Sequence, residues 1–268
     1  MKFFEGCTTL ITGASSGLGD EFARQLAPHV GTLVLVARRV DRLERLREEL
    51  LSLHQGLQVL VYGADLSDES ARKNLADWLE VTAPPIDFLI NNAGLGDHGE
   101  FVTSDWDKVR SMLDVNITAL THLTHLLAPG MAESGRAAIL NVSSVASFFP
   151  LPNMAVYSAT KAYVTSFSEA IAMELRPKGI TVTALCPGPV RTEFFSLAER
   201  VQGAEPHYDS MPLFVVTPSE AVRAGLEAVA SDRARVVPGP FLAIAVFAAL
   251  LIPFVIIREV LRRSAGRL

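Results

Sequence analysis

The sequence predicts an α/β fold in a single domain: a doubly wound, mostly parallel seven-stranded sheet with helices on both faces. Three observations carry this expectation. Seven short apolar runs alternate with amphipathic stretches along the first 240 residues. Each run is nearly continuous in apolar residues, the pattern of a strand covered on both faces. The chain has 268 residues, 49% of them hydrophobic and 20% charged, enough apolar material for one sizeable core.

In order, TTLIT (8–12), TLVLVA (32–37), LQVLVY (57–62), IDFLI (86–90), AAILNV (137–142), ITVTAL (180–185) and ARVVP (234–238) read as strands. The stretches between them have helical spacing. In VDRLERLREELLSL (40–53), Leu43, Leu46, Leu50 and Leu53 recur on one helical face. Repeated β-α-β order makes the sheet parallel and places helices on both its sides. No internal repeat, low-complexity tract or interior linker interrupts it. The expected domain spans 1–240, and residues 241–268 form a tail of different character.

The net charge of −5 excludes a broad basic surface, so no nucleic-acid partner is expected. Cys7 and Cys186 lie in apolar, strand-like runs and read as buried free thiols, which suits a reducing compartment. MKFFEG places Glu5 and Gly6 where a secretory leader would be apolar, so the expected location is cytoplasmic. No His, Cys, Asp and Glu cluster has metal-ligand spacing, and no metal is expected.

TGASSGLG (12–19) follows the first strand and opens a helix. Its glycines permit a tight turn and close approach of a pyrophosphate to the helix N-terminus. The alternative is a simple strand-to-helix turn. Gly13, Ser15, Ser16, Gly17, Leu18 and Gly19 are the candidates for that contact. Arg38 and Arg39 close the second strand, 19 and 20 positions after Gly19. An acidic residue near there would suit the ribose hydroxyl of NAD, whereas arginine accommodates the 2′-phosphate of NADP. The plainer reading is two exposed arginines opening a charged helix.

NNAG (91–94) follows the fourth strand, and PGPVRTEF (187–194) follows the sixth. The first offers polar side chains and a glycine at a strand end, the second a rigid loop with the Thr192 hydroxyl. Alone, each passes for an ordinary loop. YSATK (157–161) places Tyr157 and Lys161 four apart, on one helix face. An ammonium near a phenol favours the phenolate and would lower its pKa from ~10. Two solvated polar residues would give the same spacing.

Taken together and in this order, TGASSGLG, Asp65 in GADL, NNAG, Asn116 in LDVNI, NVSS (141–144), YSATK and PGPVRT resemble the short-chain dehydrogenase/reductase family, in its branch of single Rossmann-type domains. The resemblance covers residues 7 to about 238, with no departure at the catalytic positions.

The resemblance implies the roles. Tyr157 is the acid that protonates a carbonyl oxygen, or the base in reverse. Lys161 lowers its pKa and holds the nicotinamide ribose. Ser144, rather than Ser143, hydrogen-bonds the carbonyl oxygen. Asn116 holds a water that links the lysine to bulk proton donors. Asp65 and Leu66 belong to the adenine site, and Asn92, Ala93 and Gly94 to the adenosine ribose and pyrophosphate side. Pro187, Gly188, Val190 and Thr192 lie by the nicotinamide. The implied cofactor is a nicotinamide dinucleotide, which Arg38 and Arg39 point to as NADP(H), and the implied partner is a small-molecule carbonyl or alcohol. Relatives commonly pair through helices equivalent to about 105–132 and 155–175, so a homodimer or homotetramer is expected. An NADP-binding regulator without turnover and a redox-neutral epimerase are the alternatives.

The variable substrate loop falls at about 189–216. Phe194, Phe195, Leu197, Met211, Leu213 and Phe214, with Phe148, Phe149, Leu151 and Met154, are expected to wall an apolar pocket for a lipophilic carbonyl. They could equally pack the loop onto the core or onto a neighbouring subunit. His98 and His207 read as exposed loop residues. In the tail, FLAIAVFAALLIPFVII (241–257) has seventeen residues without a charge, the short end of a membrane span (~17–25), and Pro253 splits it. Residues 258–268 then carry four Arg and one Glu. Three arrangements fit, in this order: a surface helix making peripheral membrane contact, a cover over the cleft or an oligomer seam, and a true span.

Overall fold

The seven apolar runs become seven strands. They are β1 (Thr8–Thr12), β2 (Thr32–Ala37), β3 (Gln58–Gly63), β4 (Phe88–Asn91), β5 (Ala137–Val142), β6 (Ile180–Leu185) and β7 (Arg235–Val236). They form one sheet in the order 3-2-1-4-5-6-7, and every pair is parallel. The structure is a computed structural model and describes residues 1–198 and 214–265.

The helices are α1 (Gly17–Leu26), α2 (Val40–Leu53), α3 (Glu69–Thr82), α4 (Trp106–Leu113), α5 (Leu120–Ser134), α6 (Ala155–Leu175), α7 (Glu193–Ala198), α8 (Pro218–Ala230), α9 (Pro240–Leu250) and α10 (Phe254–Ala265). Strand side chains alternate between faces, so the sheet divides two cores. Leu33 and Leu35 of β2 join Phe22 and Leu26 of α1, Leu43, Leu46 and Leu50 of α2, and Leu226 of α8. Val34 and Val36 join Leu75 and Leu79 of α3, Leu123 of α5 and Leu175 of α6. This double burial is why the strands read as continuous apolar runs.

Because β1 lies between β2 and β4, the crossovers leave it in opposite directions. A crevice opens there beyond the strand C-termini. Local signals set the helices that frame it. Asp68 caps α3 through the Ser70 amide, and Thr217 and Glu220 close a reciprocal capping box at α8.

Three details depart from the sequence reading, and the tail breaks at Pro253 as expected. Leu53 is 65% exposed, because α2 ends there and its last turn overhangs the core. A π-helical segment, Asp114–Ala119, joins α4 to α5. Cys186 is buried but Cys7 is half-buried, and both are free thiols. In the tail, α9 and α10 meet at 112° around Pro253. Among the described residues no single helix is long and apolar enough to cross a membrane; only the bent pair passes together, by length and composition.

Candidate active site

The catalytic candidates converge where β5 ends and α6 begins. Tyr157 and Lys161 stand on the first turns of α6, 7% and 5% exposed. Lys161 Nζ donates to the Val142 carbonyl at 2.8 Å and lies 5.8 Å from the centre of the Tyr157 ring. The two serines after β5 separate. Ser143 is buried, donates to the Lys161 carbonyl at 2.9 Å and pairs with Thr165 at 2.7 Å. Ser144 caps the short turn Val145–Phe148, its hydroxyl accepting from the Ala146 amide at 3.1 Å, and lines the same cleft as Tyr157.

Burial pushes the phenol up to about 12, with the nearby Ser144 hydroxyl pulling the other way. Burial also pushes the Lys161 ammonium down to about 8. Lys161 Nζ is turned to the strand carbonyl, on the same helix face as the phenol, as the four-residue spacing requires.

Asn116 lies in the π-helical segment and is 1% exposed. Its Oδ1 accepts from the Leu95 amide at 2.8 Å. Its Nδ2 donates to the Leu95 carbonyl at 2.9 Å and to Thr160 Oγ1 at 3.0 Å. It thus ties the loop after β4 to α6. A Cβ on Gly94 would sit 3.4 Å from both Asn116 Oδ1 and Lys161 Nζ, which places the three groups together.

A cleft of about 490 Å³ runs from these residues to the far end of the β1–β2 side. All the predicted cofactor contacts line it except Gly19. Gly19 has a packing task instead: a Cβ there would run into the Gly13 carbonyl. Gly13, at φ +66°, lies so close to the next loop that a Cβ would approach Ala93 Cα to 2.9 Å. Thr12 joins that loop to the turn, accepting from the Asn92 and Ala93 amides at 3.0 Å each. Ser16, Gly17 and Leu18 at the start of α1 line the cleft, the arrangement that suits a pyrophosphate.

At the far end, Arg39 donates to Ser15 Oγ at 3.2 Å and Ser16 Oγ at 2.7 Å. Arg38 lies 3.9 Å from Asp65. Burial works against the Asp65 carboxylate. The Ser67 amide and hydroxyl, with Arg38, nonetheless hold it below the usual range. This array of glycine turn and helix start fits a dinucleotide, with Arg38 and Arg39 at its far end.

Several members were invisible to sequence reasoning. Thr12 and Thr160 looked like strand and helix residues. Glu193, held by Arg39 and Arg42, opens α7, far away in sequence. Arg72 is 3% exposed and donates to the Leu66 carbonyl at 2.7 Å and the Ser67 carbonyl at 3.1 Å, beneath the adenine candidates. The one available signal was an arginine in an otherwise apolar helix stripe.

On the substrate side, Phe194, Leu197, Leu151 and Met154 line the cleft, and Phe194 lies 5.6 Å from the Tyr157 ring. Phe148, Phe149 and Phe214 do not. Phe148 packs under the Arg235 guanidinium, 5.1 Å from its ring centre, and Phe149 packs against Phe148. The Phe195 side chain, Met211, Leu213 and His207 lie outside the described residues. His98 is half-buried rather than exposed, and its amide donates to the Ala198 carbonyl at 3.1 Å.

Comparison with known proteins agrees with this arrangement. The family model for short chain dehydrogenases matches residues 7–202. The chain is 37% identical to sulfoacetaldehyde reductase 2 of Chromohalobacter salexigens over 190 residues, 69% of this chain and 73% of that protein. A short-chain dehydrogenase from Sphingobium yanoikuyae, solved in complex with NADPH, matches at 35% identity with a TM-score of 0.79, covering 91% of this chain and 92% of that one. A 3-ketoacyl-(acyl-carrier-protein) reductase from Brucella melitensis, complexed with NADH, matches at 28% identity with a TM-score of 0.77, covering 88% and 97%. The chain belongs to the short-chain dehydrogenase/reductase family. It is an oxidoreductase of the class that acts on CH–OH and C=O groups.

Proposed function

We propose that the protein is an NADP(H)-dependent oxidoreductase that reduces a lipophilic ketone or aldehyde, or oxidises the corresponding secondary alcohol. One observation carries the reading. The buried Tyr157, with Ser144 and Lys161 beside it, stands at one end of a cleft whose other end presents Arg38 and Arg39.

When bound, the nicotinamide supplies or accepts the hydride. The chain's own residues do the rest. Ser144 and Tyr157 present hydroxyl protons to the carbonyl oxygen, where negative charge develops. Tyr157 gives up its phenolic proton, and the Lys161 ammonium steadies the phenolate that results. Asn116 holds the Leu95 loop and α6 in register. Val190 and Thr192 border the nicotinamide end, and Asp65 and Leu66 the adenine end.

Arginine at the 2′-phosphate position favours NADP over NAD. The structural relatives carry NADPH in one case and NADH in the other, so this choice rests on Arg38 and Arg39. The NADPH pool of cells is kept reduced, which favours reduction as the physiological direction. Phe194, Leu151 and Met154 support a lipophilic substrate. The buried thiol of Cys186 suits a cytoplasmic location. A homodimer or homotetramer follows from the family pattern, and light scattering at micromolar concentration tests it.

The functional test follows NADPH and NADH oxidation with a carbonyl panel from small aldehydes to steroids and long-chain ketones. Turnover with NADPH should fall by ~10²–10⁴ in Tyr157→Phe while cofactor binding survives. Tight NADPH binding without turnover on any member, nor with a native extract, would move the regulator and epimerase readings ahead.

A further inference from the structure

The tail is the part of the molecule that the reductase chemistry leaves unused. α9 is anchored by one face only. Leu242 and Val246 are buried, and Leu242 packs so closely on Gly188 that a Cβ there would meet its Cδ2 at 2.5 Å. On the opposite face Phe241, Ile244, Phe247 and Leu251 are 63–72% exposed. Beyond the bend, Phe254, Val255, Ile256 and Val260 of α10 are exposed as well, by 51–72%. Arg258, Arg262 and Arg263 lie along the other side of α10, and Glu259 pairs with the last two at 2.8 Å.

We propose that the outer faces of α9 and α10 dock the protein onto an anionic lipid bilayer surface. Three features favour lipid over a protein partner. α9 has no polar side chain anywhere on its circumference, so it offers no hydrogen-bonding rim to set a protein partner's register. Hydrocarbon requires none. α10 is amphipathic, with three arginines against one glutamate, the pattern of a helix lying at the headgroup level. The chain as a whole is at −5, so this basic element is where attraction to anionic lipid concentrates. The 112° bend and the short helices oppose a straight span and allow both helices to lie at the interface.

The geometry also relates docking to the cleft. Gly188, which α9 covers, is itself a cleft residue. Docking would therefore hold the catalytic domain at the membrane by the element next to its nicotinamide end.

The test is flotation of the full-length protein with vesicles of phosphatidylcholine mixed with phosphatidylglycerol, and with vesicles of phosphatidylcholine alone. The mixed vesicles should carry the protein upward, and added salt should weaken the association. Ile244→Glu combined with Phe247→Glu should reduce recovery on the order of tenfold, with an unchanged melting curve showing that the variant folds. Arg258→Gln, Arg262→Gln and Arg263→Gln together should remove the preference for the mixed vesicles. The proposal is overturned if the wild type stays unbound, if it floats equally with both vesicle types, or if the double glutamate variant floats like the wild type. It is equally overturned if those glutamates split an oligomer whose wild type ignores vesicles, since the surface is then a seam between copies.

Discussion

The Glu193 carboxylate lies 3.2 Å from the Arg39 guanidinium, and Arg39 at the same time donates to Ser15 and Ser16 of the glycine turn. Arg42 completes the grip on Glu193 at 2.9 Å. Hydrogen bonds from Arg42 and Arg39 hold this carboxyl below the usual carboxylate range. Under the NADP(H) reading proposed above, this carboxylate would compete with the ribose phosphate for Arg39. Glu193→Gln should raise NADPH affinity up to about fivefold, the scale of an exposed ion pair, and leave NADH affinity unchanged. Paired fluorescence titrations with the two cofactors check it; an equal shift for both would remove the competition argument.

Lys161 makes stability depend on alkaline pH. Burial lowers its pKa from the ordinary 10.5 to about 8, so the folded state disfavours the ammonium. A depressed pKa contributes stability that is complete above the unfolded value and lost as pH falls through the folded one. The wild type should therefore gain roughly 3 kcal/mol relative to Lys161→Met as pH rises from 8 to 10.5. Tyr157, raised to about 12, is common to both proteins and cancels from the difference. Urea unfolding across that range measures it, and a pH-independent difference would sink the assignment.

Asn116 is tested apart from chemistry. Asn116→Ala leaves the Leu95 amide, the Leu95 carbonyl and Thr160 without their side-chain partner. The loss should be about 2–3 kcal/mol of folding stability, measurable by urea without substrate or cofactor. A variant as stable as the wild type would show that the two elements do not need this tie.

Arg72 should act on cofactor binding and not on chemistry. Arg72→Met removes two bonds to the carbonyls of Leu66 and Ser67. Cofactor affinity should fall about tenfold with kcat at saturating cofactor retained. A fall in kcat with affinity intact would place Arg72 elsewhere in the mechanism.

The sequence by itself determined the parallel sheet, because burial on both faces writes continuous apolar runs that composition cannot hide. It also located the cleft, since β-strand ends and glycine turns are local signals. TGASSGLG and NNAG were legible for that reason, and so was YSATK as one helix face. Tertiary structure decided what depends on neighbours distant in the chain. Leu53 is exposed because α2 outruns the core, and Phe148 faces Arg235 instead of the cleft. Glu193 meets Arg39 across 154 residues. The burial that pushes the Tyr157 phenol up was equally out of reach of local pattern, because desolvation scales with burial and only packing sets burial.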